Sequence, residues 1–83
     1  MLIRYTKEAQ TDLIALPLTI KGRIARLVER LEHWPEVSGA KPLRGNLAGR
    51  YRMRTGDYRV QFYVVGDELI VEKIGHRDGF YED

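Results

Sequence analysis

The chain contains no cysteine. That excludes a disulfide framework and thiolate chemistry, and it fits a reducing compartment. Histidine is scarce. His33 and His76 lie far apart in the sequence, and without cysteine they form none of the spaced ligand sets that hold zinc. No metal and no cofactor are expected. No glycine-rich loop opens a helix, so nucleotide hydrolysis is unsupported. No apolar run approaches the ~20 residues that span a bilayer. The opening "MLIRYTKEAQ" lacks the apolar stretch of a signal peptide. A cytoplasmic protein without membrane contact is expected. Repeats, low-complexity segments and linkers are absent as well.

What is present is one modest core. The chain has 83 residues, 43% hydrophobic and 31% charged, which reads as a single globular domain over 1–83. A domain of this size buries only about 60–65% of its unfolded surface, so its apolar residues must be placed efficiently. "LIRY" (2–5) reads as a short strand. Thr6 is a fitting N-cap, because its hydroxyl can accept from a free amide of the first helical turn. Ala9, Leu13 and Leu16 then follow at helical spacing. Ile20, Ile24, Leu27, Leu31 and Trp34 form a second and clearer stripe. Pro35 closes it, having no amide to give and restricting the residue before it. Residues 35–49, with Gly39, Pro42, Gly45 and Gly49, read as a loop.

Three strand-like runs follow at 50–55, 58–65 and 68–75. Gly56-Asp57 and Gly66-Asp67 separate them at hairpin distance, and glycine in the first central position suits a type II′ turn. The order β-α-α-β-β-β predicts an α+β domain. A helical hairpin packs on one face of a mainly antiparallel twisted sheet, and the other face is left open.

The net charge is only +2. Its distribution says more than its size. Residues 41–59 hold Lys41, Arg44, Arg50, Arg52, Arg54 and Arg59 against a single acid, Asp57, while the rest of the chain is net acidic. Such a concentration is the electrostatic footprint of a site for an anion. Strand alternation sends Tyr51, Met53, Val60 and Phe62 toward the helices. It sends Arg50, Arg52, Arg54, Arg59, Gln61 and Tyr63 to the open face. A two-residue turn at 56–57 sets Arg54 opposite Arg59. Like charges directly across a strand pair are unfavourable, which makes sense if an anion belongs between them. A merely solvated arginine face is the alternative.

The third strand runs into "GHRDGFY" (75–81). Histidine exchanges a proton near neutral pH, arginine steadies a crowded phosphate, and tyrosine stacks on a base. His76, Arg77 and Tyr81 therefore join the arginines as candidates. His33, at the end of the second helix, receives no role. The polar side of that helix, with Lys21, Arg23, Arg26 and Arg30, reads equally well as a solvated face or as a contact surface.

"KPLRGNLAGRYRMRTGDYRVQFYVV" followed by "DELIVEKIGHRDGFY" resembles the RelE/ParE superfamily of toxins from toxin–antitoxin pairs. The resemblance runs the length of the chain, including the element order. It lies nearer the RelE branch, which implies a ribosome-dependent mRNA endonuclease. In that branch the 2′-hydroxyl of the message attacks the adjacent phosphate without metal. It leaves a cyclic phosphate and a free 5′-hydroxyl.

Carried over by position, the resemblance puts Arg52 and Arg54 beside the nucleophile and Arg59 on the phosphate. Arg77 falls on the leaving group and Tyr81 on the base. RelE has lysines where this chain has Arg52 and Arg54. A guanidinium cannot release a proton, so the expected substitute is His76, or else the ribosome supplies part of the proton transfer. Lys41, Arg44, Arg50 and Gln61 are expected to bind RNA around this centre. The implied partners are a cognate antitoxin, the ribosome and its mRNA. Two alternatives stand beside this one. A ParE-like toxin would act on DNA gyrase, and an inactive remnant would only bind its antitoxin.

Overall fold

The computed structural model describes residues 1–80. The first helix, α1 (Lys7–Ala15), begins where the hydroxyl of Thr6 accepts from the Ala9 amide at 3.0 Å. The second, α2 (Leu18–Leu31), starts after Pro17, which sits at the N-cap. Ile24, Leu27, Val28 and Leu31 of α2 are buried, and Ile20 packs partly against the same core. Trp34 lies one turn beyond the helix and still reaches the core. Its indole meets Tyr51 at 4.7 Å and Phe62 at 5.2 Å between ring centroids.

Among the described residues the sheet has five strands: β1 (Leu2–Tyr5), β2 (Lys41–Pro42), β3 (Arg50–Thr55), β4 (Tyr58–Val65) and β5 (Glu68–His76). Their spatial order is β1-β5-β4-β3-β2. β1 runs parallel to β5 and every other pair is antiparallel. A parallel neighbour needs a long crossover, and here the chain between β1 and β5 supplies it. Both helices pack on one face, over Met53, Val60, Phe62, Leu69, Val71 and Ile74.

The expected α+β order is present with one addition. The segment expected to be only a loop, 35–49, contains β2, a two-residue strand that pairs Lys41 with Arg52 and Pro42 with Tyr51. A short 3₁₀ turn, Gly45–Leu47, then leads into β3. Two residues carry too little alternation to be seen in sequence, so only pairing with β3 reveals the strand.

Gly56 and Gly66 both have φ of 60°, and no non-glycine described residue has positive φ. Asp57 and Asp67 are therefore excluded from a type I′ geometry, which agrees with the type II′ expectation.

The β4–β5 ladder slips once. Gln61 faces Lys73 but Phe62 faces Val71, so Glu72 is the extra residue of a bulge. The displaced backbone is served by the start of α1. Thr6 donates its hydroxyl to the Glu72 carbonyl at 2.9 Å, and Asp12 accepts the Ile74 amide at 2.9 Å. Asp12→Ala leaves that partly buried amide without its acceptor. We expect a loss of about 1–3 kcal/mol in urea unfolding, with Asp12→Asn losing less because its amide oxygen can still accept.

Candidate functional site

The face of the sheet turned away from the helices is where the arginines gather. β3 and β4 pair Arg54 with Arg59, Arg52 with Gln61 and Arg50 with Tyr63, as the two-residue turn requires. Lys41 lies directly across β3 from Arg52. Alternation in each strand then puts Lys41, Arg52, Arg54 and Arg59 on one side. With Gly39 they line a concavity of about 310 Å3.

Arg54 is exposed and makes no ion pair among the described residues. Among the described residues Arg59 uses its guanidinium on backbone alone, donating to the Gly56 carbonyl at 3.2 Å and the Tyr58 carbonyl at 3.4 Å. Those bonds hold its planar head at the rim of the turn. Two cations sit opposite one another, and no described carboxylate lies between them. That arrangement is unfavourable when empty and favourable around a phosphate, whose oxygens match the guanidinium fork.

The rest of the open face behaves differently. Glu72, pushed out by the bulge, accepts from Arg50 Nε at 2.8 Å and from Gln61 Nε2 at 2.9 Å. Arg50 also lies 5.3 Å from the Tyr63 ring centroid. The expectation that Gln61 is exposed for RNA is corrected, since it is 6% exposed. Its amide is tied under the Arg50–Glu72 pair. A bulge is not visible in the alternation, so its carboxylate could not be placed from sequence. Arg44 is exposed in the turn before β3 and does not line the concavity.

The C-terminal run divides in a way the sequence pattern did not suggest. His76 is directly opposite Tyr58, and their rings meet edge to face at 5.2 Å. Tyr58 packs against the core, so His76 lies on the helix-covered side, at the rim. Its Nδ1 accepts the Asp78 amide at 3.1 Å. The structure therefore does not bring His76 to the arginines, and its expected proton-transfer place there is corrected. The physical reason is parity, because Ile74 faces the core and residue 76 must point the same way.

Arg77 is on the exposed corner beside the β3–β4 turn. Its amide donates to the Asp57 carbonyl at 2.7 Å, and its Nε lies 3.9 Å from Asp57 Oδ1 and 3.8 Å from Asp78 Oδ1. Tyr81 lies outside the described residues.

Phe80 is a structural residue that the sequence pattern does not single out. It is 2% exposed, and a Cβ on Gly75 would come within 3.3 Å of its ring. The Lys73 ammonium sits 4.7 Å from the Phe80 ring centroid and donates to the Phe80 carbonyl. Gly75 faces Arg59 across the ladder, so this packing anchors the C-terminal segment to the open face. The signal available in sequence was one apolar residue inside the polar run "RDGFYED", five residues after a glycine that faces outward.

The sequence pattern described as "ParE toxin of type II toxin-antitoxin system, parDE" matches residues 3–79. The toxin RelG of Mycobacterium tuberculosis is 30% identical over 82 residues, covering 95% of this chain and 93% of its own. The toxin RelE3 of Methanocaldococcus jannaschii is 28% identical over 85 residues, covering 99% of this chain and 97% of its own. The toxin–antitoxin complex RelBE2 of M. tuberculosis holds a chain that superposes with a TM-score of 0.80 at 27% identity, over 92% of this chain and 90% of that one. The chain belongs to the ParE toxin family of type II toxin–antitoxin systems, within the RelE/ParE superfamily, and is a RelE-like toxin.

Proposed function

We propose that this toxin is an endoribonuclease that cuts mRNA on the ribosome. The single observation that carries this reading is the concavity in which Lys41, Arg52, Arg54 and Arg59 converge. The reaction that fits it is an internal transesterification. The 2′-oxygen attacks the adjacent phosphorus as its proton leaves, the bond from phosphorus to the 5′-oxygen breaks, and that oxygen takes up a proton. The products are a 2′,3′-cyclic phosphate and a 5′-hydroxyl. Charge builds on the non-bridging oxygens, and guanidiniums already fixed around them need no rearrangement to stabilise it.

Arg52, Arg54 and Arg59 hold the phosphate in this reading, and Arg77 at the corner attends the leaving oxygen. Arginine does not exchange protons at accessible pH. Lys41 is the one lysine among the described lining side chains, and it is assigned the proton-transfer role expected of His76. Tyr81 remains the proposed stacking partner for the base. Arg44 is left to contact RNA outside the concavity. The partner that restrains the toxin is an antitoxin, as in the RelBE2 complex.

The test is to incubate the protein with ribosomes translating a defined message and to map the new 5′ ends. Cuts in register with codons are the expected result. The family match favours a second reading, a ParE-like toxin that acts on DNA gyrase. Intact message together with inhibited supercoiling would establish that reading in place of the first.

A further inference from the structure

A second basic hollow adjoins the first. Arg23, Arg26 and Arg30 of α2, with Leu27 beneath, face Arg54 and Thr55 at the end of β3 across a space of about 310 Å3. Arg54 lines both hollows. Arg23 reaches the β3–β4 turn, its Nη1 3.3 Å from where a Cβ on Gly56 would lie. The Gly56 carbonyl of that same turn accepts from Arg59. The two guanidiniums thus flank one turn.

The cations of the second hollow are poorly compensated. Arg30 donates to the Ser38 carbonyl at 2.8 Å, and Arg23, Arg26 and Arg54 make no ion pair among the described residues. Glu29 borders a neighbouring hollow with Arg26, Arg30 and His33 and does not pair with them. Helical spacing explains the gathering, since positions 23, 26 and 30 recur at three and four and lie on one stripe. Like charges on such a stripe cost stability unless an anion is supplied, and nothing in the core requires them.

We propose that this hollow is a second site for the phosphate backbone of RNA, continuous with the cleavage concavity through Arg54. The proposal rests on the RNA-cleaving reading above. Its occupant is a strand of phosphodiesters, not a single anion, because four guanidiniums around one space and a shared arginine leading to the next make a track. Backbone contacts of this kind set affinity and position without reading bases. Arg23 and Arg26 therefore govern binding, and the bond-breaking step stays with the first hollow.

The experiment compares the intact toxin with the double variant Arg23→Gln/Arg26→Gln, both positions being exposed on α2. Affinity is measured at several salt concentrations against programmed ribosomes, a free 12-nucleotide single-stranded RNA, and a poly-glutamate peptide. The expected result is about tenfold weaker binding to ribosomes. The slope of log affinity against log salt should be shallower by about 1.4, or about 0.7 for each single-strand phosphate no longer neutralised. Cleavage at saturating toxin should be unchanged. Parallel weakening on the free RNA identifies the message strand as the occupant, and weakening on ribosomes alone identifies ribosomal RNA. Unchanged affinity and salt slope overturn the proposal, and so does weakening confined to poly-glutamate. If the unaltered toxin cuts no message at all, it is the cleavage reading that fails, whatever the binding data show.

Discussion

On the proposed reading, Arg59→Ala should lower cleavage of ribosome-bound message by about 100- to 1,000-fold, the usual cost of losing one fixed donor to a developing oxyanion. The side chain is suited to so large an effect. Its guanidinium is held by the Gly56 and Tyr58 carbonyls at the rim of the concavity, so it meets the phosphate without first being ordered. It stands opposite Arg54, and losing it halves the cationic pair that grips the phosphate. Those carbonyls are in or beside an exposed turn, so water replaces the guanidinium there and the fold survives. Circular dichroism and unfolding should match the unaltered protein within about 0.5 kcal/mol. Arg59→Lys should recover only part of the rate, because an ammonium restores charge but not the two-pronged geometry. A single-turnover rate for Arg59→Ala within about threefold of the unaltered enzyme, far short of the expected loss, would remove Arg59 from the reacting phosphate.

Lys41→Arg is the second change with a large expected effect, and it separates charge from proton exchange. Lys41 shares the concavity with Arg52 and Arg54 of β3 and Arg59 of β4. Replacing it by arginine keeps the positive charge and the reach, so ribosome affinity stays within about twofold. Guanidinium cannot pass a proton, and the single-turnover rate should fall by about 100-fold, the lower end for general acid–base catalysis. Lys41→Ala should lose affinity as well as rate. If Lys41→Arg cuts at the unaltered rate, the proton is handled elsewhere, by the ribosome or by another residue of the toxin.

Much of this molecule is legible residue by residue. The turns at 56–57 and 66–67, the three long strands, the cap at Thr6 and the α2 stripe all follow from short-range rules: glycine at positive φ, period-two alternation and 3.6-residue spacing. The same rules fix the Arg54–Arg59 pair, because a two-residue turn allows no other register.

The remainder is decided by contacts between distant segments. Whether residues 41–42 form a strand depends on finding β3, and with that pairing comes the place of Lys41 beside Arg52. The bulge at Glu72 depends on Thr6 and Asp12 being present to take up its backbone. That bulge hands Arg50 and Gln61 a carboxylate partner. The hollow between α2 and β3 exists only because the helix crosses the end of the hairpin, bringing Arg23, Arg26 and Arg30 to Arg54. The sequence by itself determined the two helices, β1 and the three long strands, and which arginines share a strand face, since those depend on neighbours a few residues away. Only the tertiary structure decided which of those arginines keep their charge for a ligand, because that depends on whether the fold brings a carboxylate within reach.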